Sequence, residues 1–235
     1  VSAAGPRPSP AEVAAAHGRP VPDLIAPGLD VLFCGINPSL YSAAVGHHFA
    51  RPGNRFWKAL HLSGFTPRLL APHEGGELLG HGLGVTNVWG RATATAAEVS
   101  DAELRAGAVE LVAKLEANRP AWVAFLGIGA YRVAFGAPRA AVGPRPQPVG
   151  GARTWVLPNP SGLNAHYQLP DLAAAFAELR RATPSAQRVA EVASTGPSAW
   201  SSCSTWSSTG PPELSSGAGC PAPLDGQVAS GPNSR

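Results

Sequence analysis

Two short loops hold the residues best suited to chemistry, Gly35-Ile36-Asn37-Pro38-Ser39 and Asn159-Pro160-Ser161-Gly162-Leu163-Asn164. Each follows a short apolar run, and each pairs an asparagine with a proline. Proline disfavours α geometry in the residue before it, so Pro38 holds Asn37 in a non-helical conformation, while Gly35 lets the backbone turn tightly. An amide can orient a water molecule but cannot take its proton as a carboxylate would. The chemistry expected of Asn37 is therefore placement of water beside a bond with a good leaving group. An Asx-turn in an ordinary βα connection is the structural alternative.

Leu163 stands alone among Ser, Gly, Asn and Ala at a loop tip, where a hydrophobe gains little. Either it folds back onto the core, or it projects outward as an apolar wedge of the kind that enters a base stack. Neither loop contains a carboxylate. Asp30 precedes the first strand, while Glu98, Asp101, Glu103 and Asp171 stand at helix starts, where acids are structurally favoured. His47 and His48 are adjacent, but His61, His73 and His81 lack a convincing metal-ligand spacing with them. No metal site is expected; the pair lines a pocket mouth or has no role. Arg51, Arg55, Arg91 and His166 are the candidate phosphate contacts, with solvated side chains as the alternative.

Elements that alternate in type must position these loops. Val31 to Cys34, Gly84 to Val88, Trp122 to Leu126 and Thr154 to Leu157 read as short buried strands. Ala11 to Ala16 suits a short helix, Pro22 to Gly28 a surface run, and Tyr41 to Pro52 a long connection. Asn54 to Leu62 is helix-compatible, with Phe56, Leu60 and Trp57 on its apolar side. Ser100 and Glu103 have capping-box spacing before a stripe of Leu104, Ala108, Leu111, Val112 and Leu115. Gly143 to Gly150 reads as a Pro-rich loop, and Leu172, Phe176 and Leu179 mark a closing helix. The fold class expected is α/β, a three-layer α/β/α arrangement around a central, mainly parallel sheet. In such a sheet the strand exits share one edge, where ligands bind.

The chain has 235 residues, 18 basic against 15 acidic, for a net charge of +3. From Pro184 onward two arginines face three acids, a charge of −1 that leaves +4 for the rest. That surplus is compatible with nucleic acid but is too small for a purely electrostatic binder. The expected organisation is a lead over 1–28, a catalytic domain over 29–183 and a low-complexity, disordered tail over 184–235. Trp200 and Trp206 in that tail are a weak candidate docking motif. The three cysteines suit neither a disulfide framework nor a four-cysteine cluster. With no 18-residue apolar run and no leader pattern, a soluble, cytoplasmic protein without membrane contact is expected.

Four segments add a resemblance: GINPS at 35–39, FARPGNRFW at 49–57, GVTN at 84–87 and NPSGL at 159–163. In this order, with Phe49 12 residues after Asn37, they resemble the mismatch-specific uracil/thymine-DNA glycosylases of the uracil-DNA glycosylase superfamily. The similarity spans roughly 29–181. It implies a monomeric enzyme of that α/β/α fold, bound to double-stranded DNA bearing a mispaired or damaged pyrimidine. Such an enzyme flips out uracil, or less readily thymine or an exocyclic cytosine adduct, mispaired with guanine. It then hydrolyses the N-glycosidic bond without metal or cofactor and leaves an abasic site for downstream repair enzymes.

Carried over, Asn37 positions the attacking water, Phe49 stacks on the flipped base, and the backbone around Ile36 and Phe49 bonds its edge. Gly35, Pro38, Asn54 and Asn159 complete the pocket. Gly162 and Leu163 enter the gap, with Asn164 among the opposite-base contacts. Two departures stand out. Ser39 replaces a frequent glycine, and Asn164-Ala165-His166-Tyr167 stands where a Ser-Arg pair occurs in the best-known bacterial form. His166 is a candidate to replace part of the phosphate contact. Competing readings are a broad-range uracil glycosylase that also takes A·U and single strands, and a non-catalytic mismatch binder. A nucleotide-binding domain is disfavoured because Arg132 stands where the third glycine of G-x-G-x-x-G belongs.

Overall fold

The computed structural model describes residues 7–184. Apart from Pro184, the expected tail over 184–235, with the Trp200 and Trp206 motif, lies outside these described residues. A short helix, α1 (Pro10–Ala14), opens the described chain, with Ser9 and Glu12 forming its capping box.

Val31 and Phe33 point to one face of the first strand, Leu32 and Cys34 to the other, and all four are buried. A strand buried on both faces belongs inside a parallel sheet covered by two helical layers. That strand, β1 (Val31–Gly35), lies between β2 (Leu83–Asn87) and β3 (Trp122–Leu126), parallel to both. With β4 (Gly143–Val149) and β5 (Ala152–Leu157) the order is β2-β1-β3-β5-β4. β5 is parallel to β3, and β4 is antiparallel at the edge.

The chain leaves β1 first to one side for β2 and later reaches β3 on the other. That reversal makes the exit of β1 a topological switch point, the place where open α/β sheets form a crevice. α2 (Leu40–Val45) borders it through Ser42, and α3 (Phe56–Leu62) stands behind it, with Phe56 packed on the cleft-lining Phe49 ring.

α4 (Asp101–Asn118) and α5 (Ile128–Ala134) cover one face of the sheet, burying Leu104, Leu111, Leu115 and Tyr131 against Leu32, Val123 and Phe125. The expected Ser100–Glu103 box caps α4. α6 (Leu169–Ala182), α3 and the 3₁₀ segment Pro72–His81 cover the other face, with Phe33, Phe56, Phe176 and Leu78 at its centre. The three-layer α/β/α expectation holds.

Three local expectations are corrected. Gly143 to Gly150 is not a loop but largely the edge strand β4. Pro144, Pro146 and Pro148 fit there because an edge strand leaves alternate N–H positions facing solvent, and the pairing shifts register between Arg145 and Val149. The connection after Asn37 begins as α2, because the Ser39 hydroxyl accepts from the Ser42 N–H at 3.2 Å and caps it. The run before β1 does not merely cross the surface. It stays partly exposed over 22–28 between the buried Val21 and Leu29, but Leu24 exchanges backbone bonds of 2.9 and 2.8 Å with Val85, covering the outer edge of β2. Asp23 accepts from both Thr86 Oγ1 and Lys114 Nζ at 2.8 Å, anchoring that cover.

Candidate active site

Four parallel strands end on one edge, and their exits enclose a cleft of about 1070 Å³. Gly35 ends β1 and Ile36 to Ser39 follow it, Thr93 to Ala96 follow β2, Gly127 to Ala130 follow β3, and Pro158 to Tyr167 follow β5. The two loops singled out in the sequence, 124 residues apart at Gly35 and Asn159, thus share one cavity. No carboxylate lines it among the described residues; its charged lining is Arg51 and Arg132, with His48 and His166 beside them.

Asn37 has its amide direction fixed. Its Nδ2 donates to Thr93 Oγ1 at 2.7 Å, to the Arg91 carbonyl at 3.3 Å and to the Pro38 carbonyl at 3.2 Å. The Thr93 hydroxyl donates in turn to the Thr95 carbonyl at 2.7 Å. A carbonyl only accepts, so Thr93 must give it the proton and receive the amide N–H of Asn37. The Asn37 oxygen is left with no donor among the described residues, at a position that lines the cleft. Thr93 stands in a Thr-rich stretch, Thr93 to Ala97, with no signal of its own in the sequence; the parallel bridge between Ser39 and Thr93 brings it there.

Gly35 is needed for close approach rather than for the expected tight turn. A Cβ there would strike Asn87 Oδ1 and would sit 3.3 Å from the Phe49 ring. Phe49 adopts a φ of +52°, a left-handed conformation rare for a bulky side chain. Its neighbours pin it. The His48 carbonyl accepts from Trp57 Nε1 at 3.2 Å, and the Ala50 N–H donates to Ser42 Oγ at 3.1 Å. The Phe49 ring then lies 4.2 Å from that of Phe56, centroid to centroid, so one edge of the cleft is an aromatic platform backed by the core.

His48 is a second residue that the sequence undervalued. It is buried at 4% exposure, with Nε2 2.9 Å from the Pro22 carbonyl. That carbonyl requires a proton on Nε2, so Nδ1 carries the lone pair and accepts from Asn87 Nδ2 at 3.4 Å. Burial pushes the His48 pKa below its ordinary value, against the opposing pull of the Pro22 bond and Asp23. The ring is therefore neutral near pH 7, and it turns Asn87 Oδ1 toward Gly35 and the cleft.

A family model for the uracil DNA glycosylase superfamily matches residues 22–182, which include every residue of this site. The chain belongs to the uracil DNA glycosylase superfamily. It is a DNA glycosylase, with DNA as its substrate and uracil-DNA glycosylase activity in the general sense. It is similar in structure to a candidate uracil DNA glycosylase from Methanosarcina acetivorans solved by NMR. The identity is 21% over 69% of this chain and 98% of that one, with a TM-score of 0.46.

In this glycosylase the remaining expected residues separate into two groups. Arg51 and His166 are exposed and line the cleft, with no side-chain hydrogen bond among the described residues. Arg91 is exposed too, and its carbonyl serves Asn37. Ile36 and Pro38 line the cleft floor. Leu163 is 74% exposed at the cleft rim, which removes the alternative that it caps the core.

In the other group, Asn54, Asn159 and Asn164 also line the cleft, but their side-chain oxygens are engaged within the protein, and Arg55 points its guanidinium the same way. Asn54 Oδ1 accepts from the Phe56 N–H at 2.9 Å and starts α3. Asn159 Oδ1 accepts from the Ser161 N–H at 2.9 Å, while its carbonyl receives Asn164 Nδ2 at 2.9 Å. Asn164 Oδ1 also accepts from the His166 N–H at 3.1 Å, so both ends of that amide brace the loop. Arg55, expected at a phosphate, is turned inward onto the carbonyls of Ser161, Asn164 and Tyr167. Those carbonyls take up its two Nη groups in place of solvent, while its Nε is buried with no partner among the described residues.

Proposed function

We propose that this glycosylase releases uracil, and less readily thymine or an exocyclic cytosine adduct, from mispairs with guanine. Asn37 Oδ1 accepts a hydrogen bond from a water molecule directed at the sugar C1′. The water oxygen bonds to C1′ as the C1′–N1 bond breaks, the bonding pair leaves with the base, and the water proton passes to solvent. Phe49 stacks on the flipped ring, and Leu163 occupies the space that ring has left.

The observation that carries this reading is a cleft lined by no carboxylate among the described residues, paired with an amide whose oxygen alone remains available. Asn37 cannot accept the water's proton, so the chemical step relies on the leaving group, and uracil leaves more readily than thymine. A slow chemical step makes the rate depend on how much base is flipped at any moment. Flipping costs a few kcal/mol and less at a mispair, so selectivity for mispairs follows from weak chemistry.

Single-turnover excision on duplexes with G·U, A·U, G·T or G·C, and on single-stranded uracil DNA, tests this without confusion from product release. The expected order is G·U first, G·T well behind and G·C silent. Equal rates at G·U, A·U and single strands would replace mismatch direction with broad-range uracil removal. Tight G·U binding without release would leave only a binder.

A further inference from the structure

One short segment carries both the base platform and the wedge loop. The Arg55 backbone N–H donates to the Pro160 carbonyl at 3.0 Å. Its Nη1 donates to the Tyr167 carbonyl at 2.6 Å, and its Nη2 to the carbonyls of Asn164, at 2.9 Å, and Ser161. Four carbonyls from both sides of Leu163 thus converge on one residue. Beside them the backbones of Gly53 and Gly162 touch, so a Cβ on Gly162 would lie 2.7 Å from the Gly53 oxygen. The next residue, Phe56, underlies the Phe49 ring.

Arg55 Nε is buried with no partner, and no carboxylate pairs with this guanidinium among the described residues. Charge-assisted bonds to neutral carbonyls are stronger than ordinary ones and hold a planar fork in one orientation. A lone apolar side chain, 74% exposed at a loop tip, has no packing of its own to hold it extended.

We infer that Arg55 is a positioning residue that clamps the 160–167 loop with Leu163 extended, and couples that wedge through Phe56 to the platform receiving the base. Arg55 touches neither base nor phosphate. The clamp rests on the proposed wedge role of Leu163. Loop order is established before DNA arrives, so its entropic cost is not charged to the flipping step.

The test uses the full chain with a G·U duplex whose 2′-fluoro-deoxyuridine resists cleavage, next to a 2-aminopurine that brightens when its neighbour unstacks. Arg55→Gln is expected to lower the flipped fraction at saturating protein by about tenfold, the scale of a lost charged hydrogen bond. The slope of log Kd against log salt stays at the wild-type value, because no phosphate contact is removed. Arg55→Lys recovers part of the flipping. Gly162→Ala, which drives the loop off Gly53 without touching the core, gives the same loss and decides the matter if Arg55→Gln does not fold.

Wild-type flipping in both Arg55→Gln and Gly162→Ala, with Leu163→Ala impaired, overturns the clamp and spares the wedge. Wild-type flipping in Leu163→Ala overturns the wedge itself. A salt slope reduced by about 1 in Arg55→Gln makes Arg55 a phosphate contact and also overturns the clamp.

Discussion

Asn37 Nδ2 and Thr93 Oγ1 lie 2.7 Å apart, and the 2.7 Å bond from that hydroxyl to the Thr95 carbonyl gives the pair its direction. The threonine hydroxyl acts as a one-way spacer between an amide and a carbonyl. Replacing it by valine keeps the shape and removes the spacer, so the Asn37 amide loses its strongest bond and can rotate. Thr93→Val is expected to lower the single-turnover excision rate about tenfold, on the scale of one buried hydrogen bond. Thr93→Ser restores most of it, and duplex affinity changes little.

Asn37→Ala removes the acceptor for water altogether. Misplacing a reactant costs about 10²-fold or more in rate, so excision from G·U falls by at least that factor. DNA binding, measured by anisotropy, stays near wild type. Excision at the wild-type rate would rule out water placement by Asn37.

Gly35→Ala puts a methyl group against Asn87 Oδ1 and the Phe49 ring. The pocket narrows where the base would enter, and overpacking costs about 1–3 kcal/mol of stability. Excision is expected to fall more than tenfold, beyond what a 1.4 kcal/mol effect would give, while circular dichroism still reports a folded chain.

Leu163→Ala separates wedge from core. A buried leucine replaced by alanine costs about 2–5 kcal/mol, but Leu163 is 74% exposed. Its melting temperature should match wild type while its flipping signal falls. A large drop in melting temperature would show instead that Leu163 packs on the fold.

The buried histidine predicts a pH effect on stability. Burial lowers the His48 pKa in the folded state below its ordinary value of 6.5. As pH falls below 6.5 the unfolded chain takes up a proton that the folded chain refuses, so stability is full above that pH. It is lost as pH falls from there through the folded pKa. His47, lowered by partial burial and by His73, acts in the same direction. Urea midpoints should therefore drop from pH 7.5 to pH 5, and His48→Gln should reduce that drop. An equal drop in the variant would place the effect elsewhere.

The strands and the cleft loops were legible because their signals are local. Val31 to Cys34 is apolar without interruption, and Asn37-Pro38 and Asn159-Pro160 carry their backbone preference in two adjacent residues. β4 was hidden because proline is read as a loop signal, and only a sheet edge tolerates three in alternation. α2 was hidden because its cap, Ser39, doubled as part of the Asn37 loop. His48 is legible as pocket lining but its bonds are not, because its neighbours in sequence say nothing of Pro22 and Asn87, which come to it from other parts of the chain.

Local signals in the chain suffice to place two asparagine-bearing loops on one edge of a three-layer sheet, with an apolar side chain at the tip of one. Strand burial and proline geometry act within a few residues, so the local string suffices. Tertiary structure alone decided which groups those loops use: that Thr93 aims the Asn37 amide, that His48 and Asn87 face each other, and that Arg55 turns inward to the loop of Leu163. A polar side chain makes its bond with whatever donor or acceptor the fold brings within about 3 Å, and that neighbour is set by strand order and crossovers rather than by adjacent residues.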